Sequence, residues 1–507
     1  VSDPARLLLP AIRLDRESVG EAAARALRQL EEGVGGFLLF GGACDDVREL
    51  TARLRVAADR PVWLAADLER GAGQQFAGAA TLPPPAALAA HPRAREAVRL
   101  AARLTALEAR ALGLNWVLAP VLDLDIEPRN PIVGTRAFGA EPDRVADLGR
   151  AWIEACQGVG VAACAKHFPG HGRTLADSHA ELPVVAAPRA VLEEDLTPFR
   201  AVAGEVAAVM TAHVAYPALG SPGPATLSPA VLGGLLRDEV GFRGLVVSDA
   251  LIMAGIAGGG DTGAATQGWR AVRAVRAGCD LLLYPSDPAL TARTLRQAAG
   301  ADGRLGKRVL EALQRSDAAL SEFGAAAPPE PADTDLPVFR PEAAAITALA
   351  EACVRMVGAE EPGGAAALGA WLDAAACGRV RVAELSDDGE AGAAGLGAAF
   401  ADELGRRGFA VDRITPGGAG GGGAPPRVVL VEATPRAWKG RAGLGDETGA
   451  RLEALLRSDG PVLPVVLGPP RILGEMGRPA VCAWASEPVM ERGAAAWLAA
   501  RAAARRG

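Results

Sequence analysis

Four of the five histidines in this 507-residue chain, His167, His171, His179 and His213, fall within 47 residues of one another. Lys166 precedes the first of them, and Asp177 stands two residues before His179. In a loop made irregular by Pro169 and two glycines, that spacing brings a carboxylate within reach of the His179 imidazole. A carboxylate so placed fixes the ring tautomer and raises the basicity of the other ring nitrogen, as a general acid/base requires. The same residue types also suit a metal, with His167, His171, Asp177 and His179 as zinc or iron ligands. Against this, Lys166 would set a cation beside the metal, and neither H-E-x-x-H nor H-x-H spacing occurs on one element. Acid/base chemistry with no metal and no cofactor is therefore the expectation.

These side chains work together only if the fold brings them to one place. Short apolar runs at Leu7 to Ile12, Gly36 to Phe40, Val62 to Asp67, Trp116 to Leu122, Val159 to Lys166, Ala207 to His213, Gly244 to Asp249 and Asp280 to Tyr284 read as strands, with Ala/Leu/Arg-rich helical stretches between them. Eight strand–helix units in a row predict a (β/α)8 barrel, whose active site lies at the C-terminal ends of the strands. Lys166, His213, Asp67 and Asp249 each end a predicted strand, and Arg136 lies in the loop after the fourth. Singly, each is more often a satisfied structural residue, but an ionisable group ending a buried apolar strand needs a compensating partner. An open doubly wound sheet is the alternative. It would want a Gly-rich phosphate turn after the first strand, where this chain has Pro10-Ala11-Ile12-Arg13.

Half the residues are hydrophobic and 22% are charged, enough for a packed interior over an expected barrel at 1–324. A Pro/Ala-rich stretch at 325–341 reads as a linker, and alternating strands and helices over 342–507 predict a smaller α/β sandwich domain. The strands expected there are Val380 to Leu385, Phe409 to Ile414, Val428 to Val431, Val462 to Leu467 and Ala480 to Trp484, with a glycine-rich surface loop from Gly417 to Gly423. A net charge of -7 with scattered arginines argues against nucleic acid as a partner. No apolar run approaches the roughly 18 to 20 residues of a membrane span. Seven dispersed cysteines without a C-x-x-C pair read as buried free thiols. Val1 in place of a start methionine admits a trimmed leader, so the compartment stays open, with the cytoplasm slightly favoured over the periplasm or exterior. Nothing in the sequence fixes an oligomeric state.

The loop Lys166-His167-Phe168-Pro169-Gly170-His171-Gly172, followed by Asp177-Ser178-His179, resembles the signature of bacterial β-N-acetylglucosaminidases of glycoside hydrolase family 3. Further similar segments follow in the family's order: Asn130 to Gly139, Met210 to His213, Ala225 to Ser228 and Gly241 to Met253. The resemblance implies a retaining hydrolase in which Asp249 is the nucleophile and His179, oriented by Asp177, is the acid/base. It implies that Asp67, Arg136, Lys166, His167 and His213 bind the sugar. It also points to a small glycan or muropeptide-like substrate carrying terminal β-linked N-acetylglucosamine, consistent with only two tyrosines and eight tryptophans as stacking platforms.

One segment departs from the family pattern Asp-x-Glu-Gly-Gly-Arg-Val-x-Arg. This chain reads Asp67-Leu68-Glu69-Arg70-Gly71-Ala72-Gly73-Gln74-Gln75, with Ala72 and Gln75 at the two arginine positions. Loss of a guanidinium weakens bidentate sugar contacts. A β-glucosidase, a phosphorylase of the same family and a non-catalytic carbohydrate-binding relative therefore stand as alternatives. A metal- or lysine-dependent barrel lyase is the alternative from another enzyme class.

Overall fold

Pro10 divides the first strand in two, and that division shows how the barrel closes. The computed structural model describes residues 3–257, 263–324, 336–358, 364–387, 395–414, 425–432, 444–457, 460–473 and 479–505. Strand β1 comprises Leu8–Leu9 and Ala11–Arg13, separated by the proline, which has no N–H to give a ladder. It is followed by β2 (Gly36–Phe40), β3 (Trp63–Ala66), β4 (Trp116–Val117), β5 (Ala162–Phe168), β6 (Ala208–Thr211), β7 (Leu245–Val247) and β8 (Leu282–Leu283). Each pairs in parallel with the next from β1 to β7. Val247 bridges to Leu281, and Leu8 and Leu9 pair with Leu282 and Leu283, so the ring is complete.

Helices Val19–Glu31, Cys44–Ala57, Ala94–Ala111, Pro142–Gln157 and Arg189–Val202, the π-helical Ala230–Glu239, then Ala264–Ala277 and Pro288–Ala301, follow the eight strands in turn. The expected (β/α)8 barrel is thus the fold of this part of the chain. One predicted strand is shorter than expected. The Trp116 to Leu122 run is regular only to Val117 because Pro120 interrupts its pairing, yet the path continues, with Leu122 donating to Lys166 O at 2.7 Å.

Leu9, Leu38, Ala65, Leu118, Cys164, Met210, Val247 and Leu283 fill the interior from successive strands. Trp63 and Trp116, with ring centroids 4.8 Å apart, close the N-terminal end together with Leu320 and Phe323 of the helix Gly303–Phe323. Buried Asp280 accepts from Arg237 at 2.8 Å, Arg315 at 3.0 Å and the Val246 amide at 2.9 Å, and also pairs with Arg308. That end is packed and charge-paired, which leaves the opposite rim for chemistry.

The chain divides into two compact units, one of Val1–Ala80, Val98–Glu127 and Ala137–Pro341, the other of Thr81–Ala97, Pro128–Arg136 and Glu342–Gly507. Two segments inside the range expected for the barrel thus group with the second unit. The second unit holds a six-stranded sheet of β9 (Arg355–Val357), β10 (Arg379–Ser386), β11 (Ala410–Ile414), β12 (Arg427–Glu432), β13 (Val462–Leu467) and β14 (Ala480–Cys482), ordered β9-β14-β13-β12-β10-β11. All five predicted strands are present. The sixth, β9, is a three-residue antiparallel edge strand without a buried residue, too short to leave a pattern. Residues 325–335 of the expected linker, and the Gly417 to Gly423 loop, lie outside the described residues.

Within the first unit, residues 336–341 are fastened by Glu108. Its buried carboxylate accepts from the Phe339 amide at 2.8 Å and the Ala80 amide at 3.0 Å, while Arg48 lies 4.3 Å over the Phe339 ring. Burial pushes the Glu108 carboxyl up to about 7, against the pull of those amides. A carboxyl raised on folding contributes stability that is complete below its unfolded value and is lost as pH rises through the folded one. Thermal stability should therefore decline between about pH 4.5 and 7. Glu108→Gln should flatten that decline, as read by melting curves across the range, and an unchanged slope would count against a protonated Glu108.

Candidate active site

Strand β5 carries two charged or polar residues in succession, Lys166 and His167, on a run that is buried throughout. Its register with β6 shifts between Ala165 and Phe168, an irregularity of the kind that re-aims side chains beside sites. The Lys166 ammonium, 2% exposed, lies 2.7 Å from Asp67 Oδ1 and 2.8 Å from Glu69 Oε1. A buried cation is tolerable with such pairing, and the bonds hold the end of β3 to the end of β5.

Asp123 follows directly on the extended path from β4 and is fully buried. Its Oδ1 accepts from the amides of His167 at 3.1 Å and His171 at 2.6 Å, and its Oδ2 lies 2.6 Å from His167 Nδ1. Burial alone would raise this carboxyl, but the two imidazoles and the His171 amide bring it below the ordinary value. His167 therefore presents Nδ1–H to Asp123 and keeps Nε2 for the rim. His171 is also fully buried, with Nδ1 2.8 Å from Thr174 Oγ1 and Nε2 3.1 Å from Ser178 Oγ, and burial depresses its pKa to about 4.

His179 is the exposed member of the set, with 65% of its side chain open. Its Nδ1 lies 2.7 Å from Asp177 Oδ1, which also accepts the His179 amide at 2.8 Å. These bonds hold the Asp177 carboxyl below its usual range despite partial burial. The segment after β7 grips this loop, since the Gly255 amide donates to Ser178 O at 2.9 Å and the Ala254 amide reaches His179 O at 3.4 Å. A Cβ on Gly255 would come within 2.8 Å of Ser178 O and 2.9 Å of His213 O, so only glycine permits the approach.

Asp249 sits at the end of β7, where its Oδ1 accepts the Ala250 amide at 2.7 Å. Burial raises its carboxyl, but facing His213, His167 and His179, with the Ala250 amide, leave it below the ordinary value and so ionised at neutral pH. His213 is buried, donates from Nε2 to Ala250 O at 3.1 Å and pairs Nδ1 with Thr226 Oγ1 at 2.8 Å. Burial lowers its pKa, in part offset by Asp249.

Asp67, Lys166, His167, Asp177, His179, His213 and Asp249 thus gather at the C-terminal strand ends. Arg136 belongs to the second unit, where its Nη1 donates to Ile132 O at 3.2 Å. Ala72 is fully buried, Gly71 takes φ +82°, and Gln74 rather than Gln75 accepts the Arg70 amide, at 2.9 Å. Sequence reasoning missed Glu69 and Asp123. The strand-end rule that found Asp67 and Asp249 applies equally to Asp123, which follows Leu122 directly. Among the described residues no group of three or more His, Cys, Asp and Glu side chains is placed to hold a metal ion.

Residues 13–315 match the glycosyl hydrolase family 3 N-terminal domain. A β-hexosaminidase of Pseudomonas aeruginosa strain LESB58 is 41% identical over 262 residues, covering 50% of this chain and 76% of that protein. A β-hexosaminidase of Alkalilimnicola ehrlichii is 39% identical over 274 residues, covering 52% and 77%. The structure of a glycoside hydrolase family 3 β-N-acetylglucosaminidase from Paenibacillus sp. str. FPU-7 superposes with a TM-score of 0.80 at 27% identity, covering 99% of this chain and 96% of that one.

With five histidines in the chain, 15N-histidine spectra resolve each ring. His171 should stay neutral until the pH falls near 4, and His167 should show the Nδ1–H tautomer. Asp123→Asn should flip His167 to Nε2–H, because one amide cannot accept from both backbone N–H groups and Nδ1–H as the carboxylate does. An unchanged His167 tautomer in that variant would remove Asp123 from its assigned role.

Proposed function

The chain belongs to glycosyl hydrolase family 3, and from that premise we propose that it removes terminal β-linked N-acetylglucosamine from a small glycan by a retaining mechanism. One observation carries the proposal. An ionised Asp249 and an Asp177–His179 pair stand on two loops joined by backbone hydrogen bonds from Ala254 and Gly255.

Retaining glycosidases ordinarily use two carboxyls about 5 to 5.5 Å apart, one as nucleophile and one as acid/base. In this chain Asp249 attacks the anomeric carbon while the proton on His179 Nε2 passes to the departing oxygen. The glycosidic C–O bond breaks and a glycosyl ester on Asp249 forms. His179, now neutral, takes a proton from water whose oxygen attacks the same carbon, which frees Asp249 and restores the configuration. The Asp177 carboxylate stabilises the imidazolium that enters the first step and is regenerated by the second, as a buried Asp does for His in acyl-transfer triads. Asp67, Lys166, His167 and His213 hold the sugar in this scheme. The relatives named β-hexosaminidase support a hexosamine as that sugar, and the similar structure named a β-N-acetylglucosaminidase supports N-acetylglucosamine.

A second reading draws on Ala72 and Gln75, which stand where the resemblance leads one to expect arginines. Without those guanidiniums the site would accept a β-glucoside more readily, and an uncharged histidine base would not repel phosphate as the acceptor. A panel of aryl β-glycosides of N-acetylglucosamine, N-acetylgalactosamine, glucose and xylose, run with and without phosphate, separates the readings. The expected outcome is turnover fastest on the N-acetylglucosaminide and independent of phosphate. Asp249→Ala should lower turnover by about a thousand-fold or more, with azide restoring it only on activated aryl substrates. Near-normal activity in that variant would remove Asp249 as the nucleophile.

A further inference from the structure

We propose that His171 is a positioning residue, an uncharged strut that sets the place of the His179 acid/base through Ser178. The inference rests on the assignment of His179 made above. His179 is largely exposed and lies on a loop that must return it to the same point over Asp249 in two chemical steps. Its chain neighbour Ser178 is buried and bonded on two sides, through its carbonyl to the Gly255 amide at 2.9 Å and through its hydroxyl to His171 Nε2 at 3.1 Å.

His171 is itself held from four directions. Its amide donates to Asp123, its ring meets His167 edge-on with centroids 5.8 Å apart, and its Nδ1 lies 2.8 Å from Thr174 Oγ1. The Thr174 hydroxyl in turn gives its proton to His171 O at 3.0 Å. A hydroxyl has one proton, so Thr174 Oγ1 accepts from Nδ1–H, and Nε2 keeps a lone pair for the Ser178 hydroxyl. The bonding thus selects one neutral tautomer. Burial, which holds the His171 pKa near 4, keeps the ring neutral at neutral pH. A charged ring would add a cation beside Asp123, Asp249 and the two other rim histidines. The neutral ring passes on position without perturbing their charges. Through Asp123 the same chain of bonds reaches His167, so the sugar-binding and proton-transfer sides share one anchor.

The test compares His171→Phe, which keeps ring volume and loses both ring nitrogens, with His171→Gln, whose amide oxygen can accept from Ser178. Ser178→Ala cuts the same bond from the other side and covers the case in which His171→Phe does not fold. Each is assayed on N,N′-diacetylchitobiose, whose leaving group needs a proton, and on a dinitrophenyl β-N-acetylglucosaminide, whose leaving group does not. A misplacement of about 1 Å costs about a hundred-fold in rate. The expected result is a 10- to 100-fold loss of kcat on the disaccharide with KM little changed, and less than about threefold loss on the aryl substrate. His171→Gln should recover most of the loss, and the His171→Phe, Ser178→Ala double variant should lose no more than either single one. Equal losses on both substrates, or none, would overturn the strut. The 15N shifts of His179 give a readout that needs no turnover. They should move in His171→Phe and Ser178→Ala, and unmoved shifts overturn the proposal. A wild-type protein inactive on every β-N-acetylglucosaminide would instead count against the hexosaminidase assignment.

Discussion

A carboxylate with no exposed surface, Asp123, is the constraint around which the rim is arranged. An unpaired buried charge costs several kcal/mol, so the chain around it must turn donors inward. The turn after β5 supplies them, with the amides of His167 and His171 on one oxygen and the His167 ring on the other. Satisfying one charge thereby fixes where two histidines stand and which tautomer one of them adopts. The register shift in β5 belongs to the same requirement, since a regular strand sends neighbours to opposite faces. Here Lys166 and His167 both serve the rim, one against Asp67 and Glu69, the other against Asp123.

The rest of the barrel follows from division of labour between its ends. Trp63, Trp116, Leu320 and Phe323 close one end with apolar bulk, and Asp280 is neutralised there by three arginines. The other end keeps its polar groups in pairs that leave Asp249 ionised and the His179 ring open. Gly255 matters to this arrangement because only a residue without a Cβ lets the chain beyond Asp249 touch both Ser178 and His213.

Strand periodicity and the clustering of histidines made the barrel and the position of its rim legible, since both depend on local pattern. Prolines blurred the edges: Pro10 and Pro120 each break a ladder without diverting the strand, an effect of missing N–H groups that hydrophobic pattern does not register. Asp123 was legible in principle by the rule that found Asp249, but lay hidden in a run of alternating Leu and Asp. Glu69 and the His171–Ser178 bond were not legible, because both depend on contacts between residues whose distance in space the sequence does not encode. The edge strand Arg355–Val357 was missed for a different reason, having three residues and none of them buried.

In the proposed mechanism, the use of histidine in place of a second carboxyl has an electrostatic consequence for Asp249. Two carboxylates within a few ångströms cannot both ionise freely, and one pKa rises. Enzymes with that arrangement gain an acid but also constrain the nucleophile's environment. Here the groups facing Asp249 are His213, His167 and His179, and they pull its carboxyl down against a burial that pushes it up. Asp177, the second carboxylate of the proposed reaction, is placed one group further out, behind the imidazole it bonds, and is held low by that same bond. Both carboxyls therefore stay ionised at neutral pH, and the proposed mechanism assigns the exchangeable proton to the His179 ring, a side chain of the type whose unperturbed pKa lies closest to that range.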